Sequence, residues 1–247
     1  MKNNLYVNIG NTNTSFAFLK SNNINELVVE TIETSLLKSE NYKNVIDQTL
    51  EKLDCNIDKV YISSVVSSLN EIIEKYFLNL NKECDFISWK NVSFIDLTNL
   101  YNPYQLGSDI LTQMCYVNTF AEEAIVVSAG TACVVYHIKN GKLSGCIILP
   151  GITQSIKTII NTTDIQNIEF VSTDKIMGFN TNEAISIGLV NNIENIVDNI
   201  KKKLNIDCPV ICSGGDSKYF SRNKWWFIDN LETIGLFIYA QQKNQNK

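Results

Sequence analysis

Hydrophobic positions change their spacing in blocks along the chain, and the blocks predict the elements. Residues 5–9 and 15–19 read as strands joined by a polar link, and 28–32 as a third strand. Over 42–53, Val45, Ile46, Thr49, Leu50 and Leu53 fall on one face at helical spacing. A short apolar run at 60–66, broken by serines, fits a buried parallel strand. Helical spacing returns at 69–80 and 106–120. The pattern then restarts, with strands at 124–127, 132–138 and 142–149. Asn140-Gly141 marks a hairpin between the last two. Helices follow at 152–160 and 181–204, then a strand at 209–213 and a last helix at 231–241.

The restart is a weak internal repeat. Asn8-x-Gly10 and Ser128-x-Gly130 each close a strand and open a hairpin. Ser63-Ser64 and Ser213-Gly214-Gly215 each end a later β-branched strand. Two copies of a βββαβα unit account for this. The expected fold is α/β, with two similar lobes at 1–117 and 118–247 and an interlobe cleft between strand-end turns, where ligands bind.

Composition narrows the function. The 247 residues, 45% hydrophobic with three prolines, bury a sizeable core. A net charge of −5 argues against nucleic-acid or anionic-membrane binding, which needs clustered Lys and Arg. Lys201-Lys202-Lys203 ends a helix, where cations suit the dipole. No apolar run reaches the ~18 residues that span a bilayer. The chain leads into its first strand without a signal-peptide core, so a cytoplasmic location is expected. Seven cysteines with no Cys-x-x-Cys pair read as reduced thiols. His137 reads as structural, Glu122-Glu123 as solvated, and Trp225 and Trp226 as packing of the loop before the last helix.

The turn Gly10-Asn11-Thr12-Asn13-Thr14 offers backbone N–H groups and hydroxyls to an anion. On its own such a segment is a hairpin turn; Gly130-Thr131 at the matching place gives it a counterpart for gripping a polyphosphate. At this point the chain resembles the type III pantothenate kinases, of the superfamily of acetate and sugar kinases, Hsp70 and actin. Asn8-Ile9-Gly10-Asn11-Thr12-Asn13-Thr14 resembles the family's Asp-Ile-Gly-Asn-Thr loop. Ser63-Ser64-Val65-Val66, Asn102-Pro103 with Gly107-Ser108-Asp109, and Gly130-Thr131-Ala132 follow in the family's order. So do Pro150-Gly151, Gly178 to Ile185 with Gly188, and Ser213-Gly214-Gly215-Asp216.

The resemblance implies the actin-like ATPase (ribonuclease H-like) fold and transfer of the ATP γ-phosphoryl group to pantothenate, with Mg2+, in a homodimer. It makes Asp109 the acceptor of the substrate hydroxyl's proton. Asn8, Gly10, Asn11, Thr12, Asn13, Thr14, Gly130 and Thr131 become the ATP-binding residues. Tyr101, Gly107, Ser108, Asp109, Ile110 and Thr181 become the pantothenate-binding ones, with Thr181 supplied across the dimer. From the residues alone, Asp109 and Thr181 are equally helix N-caps, and Tyr101 a packing tyrosine. At Asp109 the helix dipole favours the ionised carboxylate.

Three departures remove charge. Asn8 replaces the loop Asp that helps hold magnesium, leaving a neutral amide oxygen. Ser128 replaces an Asp associated with a monovalent cation, K+ or NH4+. Ile110 replaces an Arg, and an alkyl chain cannot hold an anion; Lys157 is a candidate substitute. The kinase reading therefore stands beside a second, a catalytically degenerate relative that binds a ligand or regulates. A transcription accessory role is weaker, because the chain lacks a basic patch.

Overall fold

The computed structural model describes residues 3–21, 23–221 and 224–245. The chain divides into two compact units, 1–121 with 230–247, and 122–229.

In the first unit, β1 (Asn4–Ile9), β2 (Asn13–Leu19) and β3 (Leu27–Glu33) form an antiparallel meander. β4 (Lys59–Ser64) pairs parallel with β1, and β5 (Glu83–Phe86) parallel with β4, giving the order β3-β2-β1-β4-β5. Strand period two divides β1 between two layers. Leu5, Val7 and Ile9 pack with Ile46 of α1 (Tyr42–Leu53) and with Leu69, Ile73 and Phe77 of α2 (Ser67–Asn79). Tyr6, on the other face, stacks on Tyr61 and meets Phe237 edge-on. That second face is covered by α6 (Leu231–Gln245), which packs in turn on α3 (Ser108–Val117).

The second unit repeats the plan. β6 (Glu123–Ala129), β7 (Ala132–Lys139) and β8 (Lys142–Pro150) form the meander. β9 (Val210–Ser213) pairs parallel with β6, and β10 (Trp226–Phe227) parallel with β9. Its order, β10-β9-β6-β7-β8, is that of the first sheet read from the other edge, with every pairing sense conserved. The repeat expected from the sequence is thus present strand for strand. Ile125, Val127, Val135 and Val210 share a core with Ile152 of α4 (Ile152–Thr162) and with Ile193 and Val197 of α5 (Thr181–Leu204). At the β7–β8 hairpin Asn140 (φ 50°) and Gly141 (φ 72°) are both left-handed, the conformation a two-residue turn requires. None of the helices among the described residues is long and apolar enough to cross a membrane.

Three expectations change. The last helix, assigned by a boundary at 117/118 to the second lobe, belongs to the first unit. Asp85 explains its anchorage: it accepts from Lys243 Nζ (2.7 Å) and the Tyr239 hydroxyl (3.0 Å), beside Lys59 Nζ at 3.3 Å. β5 and β10 were not foreseen, being edge strands of four and two residues that take their conformation from the neighbouring strand. Of the tryptophan pair, Trp225 is buried against Phe220, whereas Trp226 is exposed on β10. His137 is structural as expected, bonded to Ser144 Oγ (2.8 Å) and Glu123 Oε1 (3.2 Å).

Helices α3 and α6 approach so closely that a Cβ on Gly235 would sit 1.7 Å from the Thr112 carbonyl oxygen. Backbone cannot yield as a side chain can. Gly235→Ala is expected to destabilise the protein by at least ~1–3 kcal/mol, read as a lower midpoint in urea denaturation.

Candidate active site

In the first unit the site grows from the parallel pairing of β1 and β4. Register sets Asn8 beside Ser63 and Ile9 beside Ser64, so two strand ends stop together. Asn8 lies on the same face of β1 as Tyr6, the face covered by helices. Ser63 Oγ lies 3.0 Å from Ser108 Oγ at the start of α3, both buried. Strand ends and helix start are thereby joined by a hydroxyl pair.

The loop after β1 is held from behind. Gly10 N–H donates to Asn13 O (3.0 Å), closing the turn. Thr34, fully buried, donates its hydroxyl to Gly10 O (2.7 Å), and its N–H donates to Thr12 O (2.8 Å). Because the Thr34 proton is committed to Gly10, the 2.9 Å contact with Thr14 Oγ1 has Thr14 as donor. Asn11, Thr12 and Asn13 remain at the exposed tip. The structure thus brings together Asn8, Gly10 and Thr14, and adds Thr34.

α3 starts at Ser108, two residues later than the periodicity predicts, with Gly107 at the N-cap position. Asp109 is therefore not the cap. It stands in the first turn, where its Oδ1 accepts the Ile110 N–H at 2.8 Å. Burial raises the Asp109 carboxyl above the ordinary carboxylate range, and the first-turn N–H groups offset this only in part. A Cβ on Gly107 would fall 2.2 Å from Asp109 Oδ1, so glycine leaves the space this carboxylate occupies. Ile110 is buried, whereas Tyr101 is fully exposed.

In the second unit Ser128 and Ser213 are register partners at the ends of β6 and β9. Gly130 N–H donates to Ala132 O (3.1 Å), and Gly151 N–H to Thr131 O (3.0 Å). Gly214 (φ 98°) lets its backbone lie on Ala129, where a Cβ would be 2.3 Å from the carbonyl oxygen. Asp216, buried, accepts from Thr153 N–H (3.0 Å) and Thr153 Oγ1 (2.5 Å), fixing the first turn of α4. Gly151 in turn presses on the turn, since its Cβ would lie 1.9 Å from Gly130 O. Asp216 thus supports Gly130-Thr131 through α4. Lys157 is exposed on that helix.

Thr181 opens α5 and is exposed, but it is not the cap. Asn180 takes that place, its side chain accepting from Glu183 N–H (2.9 Å), while Glu183 Oε2 accepts from Phe179 N–H (2.9 Å). Asn180 caps the helix and Glu183 ties down the residue before it, which leaves Thr181 out of the capping.

Solved structures show the fold. A Baf family protein from Campylobacter jejuni superposes with a TM-score of 0.65 at 22% identity, over 98% of this chain and 99% of its own. The Acidaminococcus fermentans (R)-2-hydroxyglutaryl-CoA dehydratase component A gives 0.56 at 12% identity, covering 98% and 100%. The fold is that of the actin-like ATPases. The model of the type III pantothenate kinase family matches residues 4–203, and the chain belongs to that family. Among curated relatives, the type III pantothenate kinase of Mycoplasma mobile is 28% identical over 96% of this chain and 98% of its own. That of Kosmotoga olearia is 29% identical over 96% and 95%.

Removing the Asp216 carboxylate strands the Thr153 N–H and leaves the Thr153 hydroxyl only its 3.3 Å contact with the Tyr219 hydroxyl. Asp216→Ala is expected to destabilise the protein by about 2 kcal/mol or more, measured by chemical denaturation.

Proposed function

We propose that the protein is an active, cytoplasmic pantothenate kinase that transfers the γ-phosphoryl group of ATP to the hydroxyl of pantothenate, the first step towards coenzyme A. The observation that carries this reading is Asp109, a carboxylate at the first turn of α3 with raised proton affinity and a glycine beside it to give it room. A carboxylate with raised proton affinity is a stronger base towards the substrate hydroxyl than an ordinary one. In the step, Asp109 takes the proton of the substrate hydroxyl. The oxygen keeps the electron pair and bonds to the γ-phosphorus, and ADP leaves with the electrons of the broken P–O bond. Residues 8–14 and Gly130-Thr131 hold the phosphates in this reading. Gly107 and Ser108 line the pantothenate side with Tyr101, whose exposure leaves its ring available to a ligand. Thr181 serves the site of a second copy in a homodimer.

Magnesium arrives with ATP as part of the substrate. Asn8 supplies a neutral oxygen, which suits a magnesium ion that keeps most of its waters and is held chiefly by phosphate. A monovalent cation fits less well. Ser128 brings no charge, and the nearby Asp216 carboxylate is committed to Thr153. No step is therefore routed through such an ion. Ile110 is buried alkyl, so pantothenate's carboxylate needs another partner, for which Lys157 is the candidate.

These losses favour a second reading, a relative that binds the ligands without turning them over. One missing electrostatic stabiliser lowers a rate by ~10²–10³, and several act as a unit. ADP release by the purified protein with ATP, magnesium and pantothenate, with and without potassium or ammonium, separates the two. Turnover that disappears in Asp109→Asn is the expected result. Calorimetric binding of both ligands with no turnover overturns the kinase reading. Gly107→Ala, which displaces the Asp109 carboxylate, is expected to lower kcat by roughly tenfold or more while melting stays near the parent's.

A further inference from the structure

Strand register sets Thr34 opposite the tip of the first loop. β2 and β3 stay paired as far as Asn13 and Glu33, so the next residues on the two sides are Thr12 and Thr34. There the chain leaves β3 for a 3-10 turn over Thr34–Lys38. Leu37 in that turn is buried in the core that holds Ile9 and Phe16. Thr34 is thereby anchored. It is fully buried, with its hydroxyl donating to Gly10 O at 2.7 Å and its N–H to Thr12 O at 2.8 Å.

The hydroxyl bond fixes a peptide plane as well as a turn. In a trans peptide the N–H runs antiparallel to the carbonyl of the preceding residue. With Gly10 O drawn onto the Thr34 hydroxyl, the Asn11 N–H faces the opposite way, away from Thr34, at an exposed residue. Thr14 works from the buried side. Its hydroxyl proton goes to Thr34 Oγ1 at 2.9 Å, and Thr14 is itself fully buried, so that proton does not serve a phosphate. Hydrogen bonds in series polarise one another, so the donation from Thr14 strengthens the bond from Thr34 to Gly10.

We propose that Thr34 is a positioning residue for the phosphate loop: through Gly10 it aims the Asn11 N–H at the phosphates of the nucleotide, with Thr14 supporting it from the core. The inference rests on the reading in which residues 8–14 hold phosphates, and it moves Thr14 from the ligand side of the loop to its support. N–H groups turned towards one side of a turn are what an anion nest consists of. A donor aimed in advance binds its anion without the cost of ordering the loop at that moment.

Thr34→Val keeps the shape of the side chain and the backbone N–H but removes the hydroxyl. Thr34→Ser keeps the hydroxyl. Thr34→Val is expected to raise KM for ATP about tenfold and to weaken calorimetric binding of ATP with magnesium by the same factor, while KM for pantothenate stays at the parent's value. Thr34→Ser is expected to bring both back towards the parent. Loss of folded protein does not imitate this, because fewer active molecules lower the observed kcat and leave KM alone.

Nitrogen-15 NMR reads the aim of the donor without turnover. ATP with magnesium is expected to move the Asn11 amide signal strongly in the parent and in Thr34→Ser, and weakly in Thr34→Val. Equal ATP affinity in folded Thr34→Val overturns the proposal. So does an Asn11 amide that bound ATP leaves unmoved in the parent, whether or not the valine variant folds. ATP binding without turnover in the parent overturns the kinase reading alone, and the titration still decides the role of Thr34. A parent that binds no ATP overturns both.

Discussion

The parallel pairing of the first and fourth strands of each unit is the constraint from which the rest follows. It ends two strands side by side, Asn8 with Ser63 in one unit and Ser128 with Ser213 in the other. Backbone direction then reverses within a few residues, and the turns that result are where glycines and hydroxyls collect. In the first unit a helix begins over the strand ends and meets them through the Ser63–Ser108 hydroxyl pair. In the second, the Asp216 carboxylate reaches α4 and, through Gly151, supports the turn at Gly130. One topological device yields two turns that differ in how they are braced.

Much of the fold was legible because its elements are long and periodic. α1 and α5 begin and end where apolar spacing places them, and the Asn140-Gly141 hairpin follows from its two left-handed residues. The edge strands β5 and β10 carried no such signal, since each is defined by a neighbour's hydrogen bonds and not by its own pattern. Helix starts were harder. α3 begins two residues after the periodicity places it, and at α5 Thr181 reads as the cap although the Asn180 side chain takes that place through Glu183 N–H.

Among site residues, those in contiguous turns could be read from the chain, and those that brace them from afar could not. Thr34 reaches Gly10 across 24 residues and belongs to no local motif. Asp109 shows the opposite limit. Its identity and its helix-start position could be read, but its proton affinity could not, because burial depends on what α3 packs against. Asn8, Ser128 and Ile110 put neutral side chains at two strand ends and in the first turn of α3. Ile110 is an apolar side chain drawn into the core.

The placement of α6 has a consequence for synthesis. The first unit is discontinuous: the whole second unit lies between α3 and the helix that covers β1 and β4. As the chain leaves the ribosome, the second unit has all its strands before the first has its final layer. Until then Tyr6, Tyr61 and the α3 surface around Thr112 lack their cover, and Asp85 lacks Lys243. Closing so long a loop is slow relative to local pairing. The nascent first unit therefore waits, with apolar surface open, for a partner at the far end of its own chain, and that interval is when chaperones have most to hold.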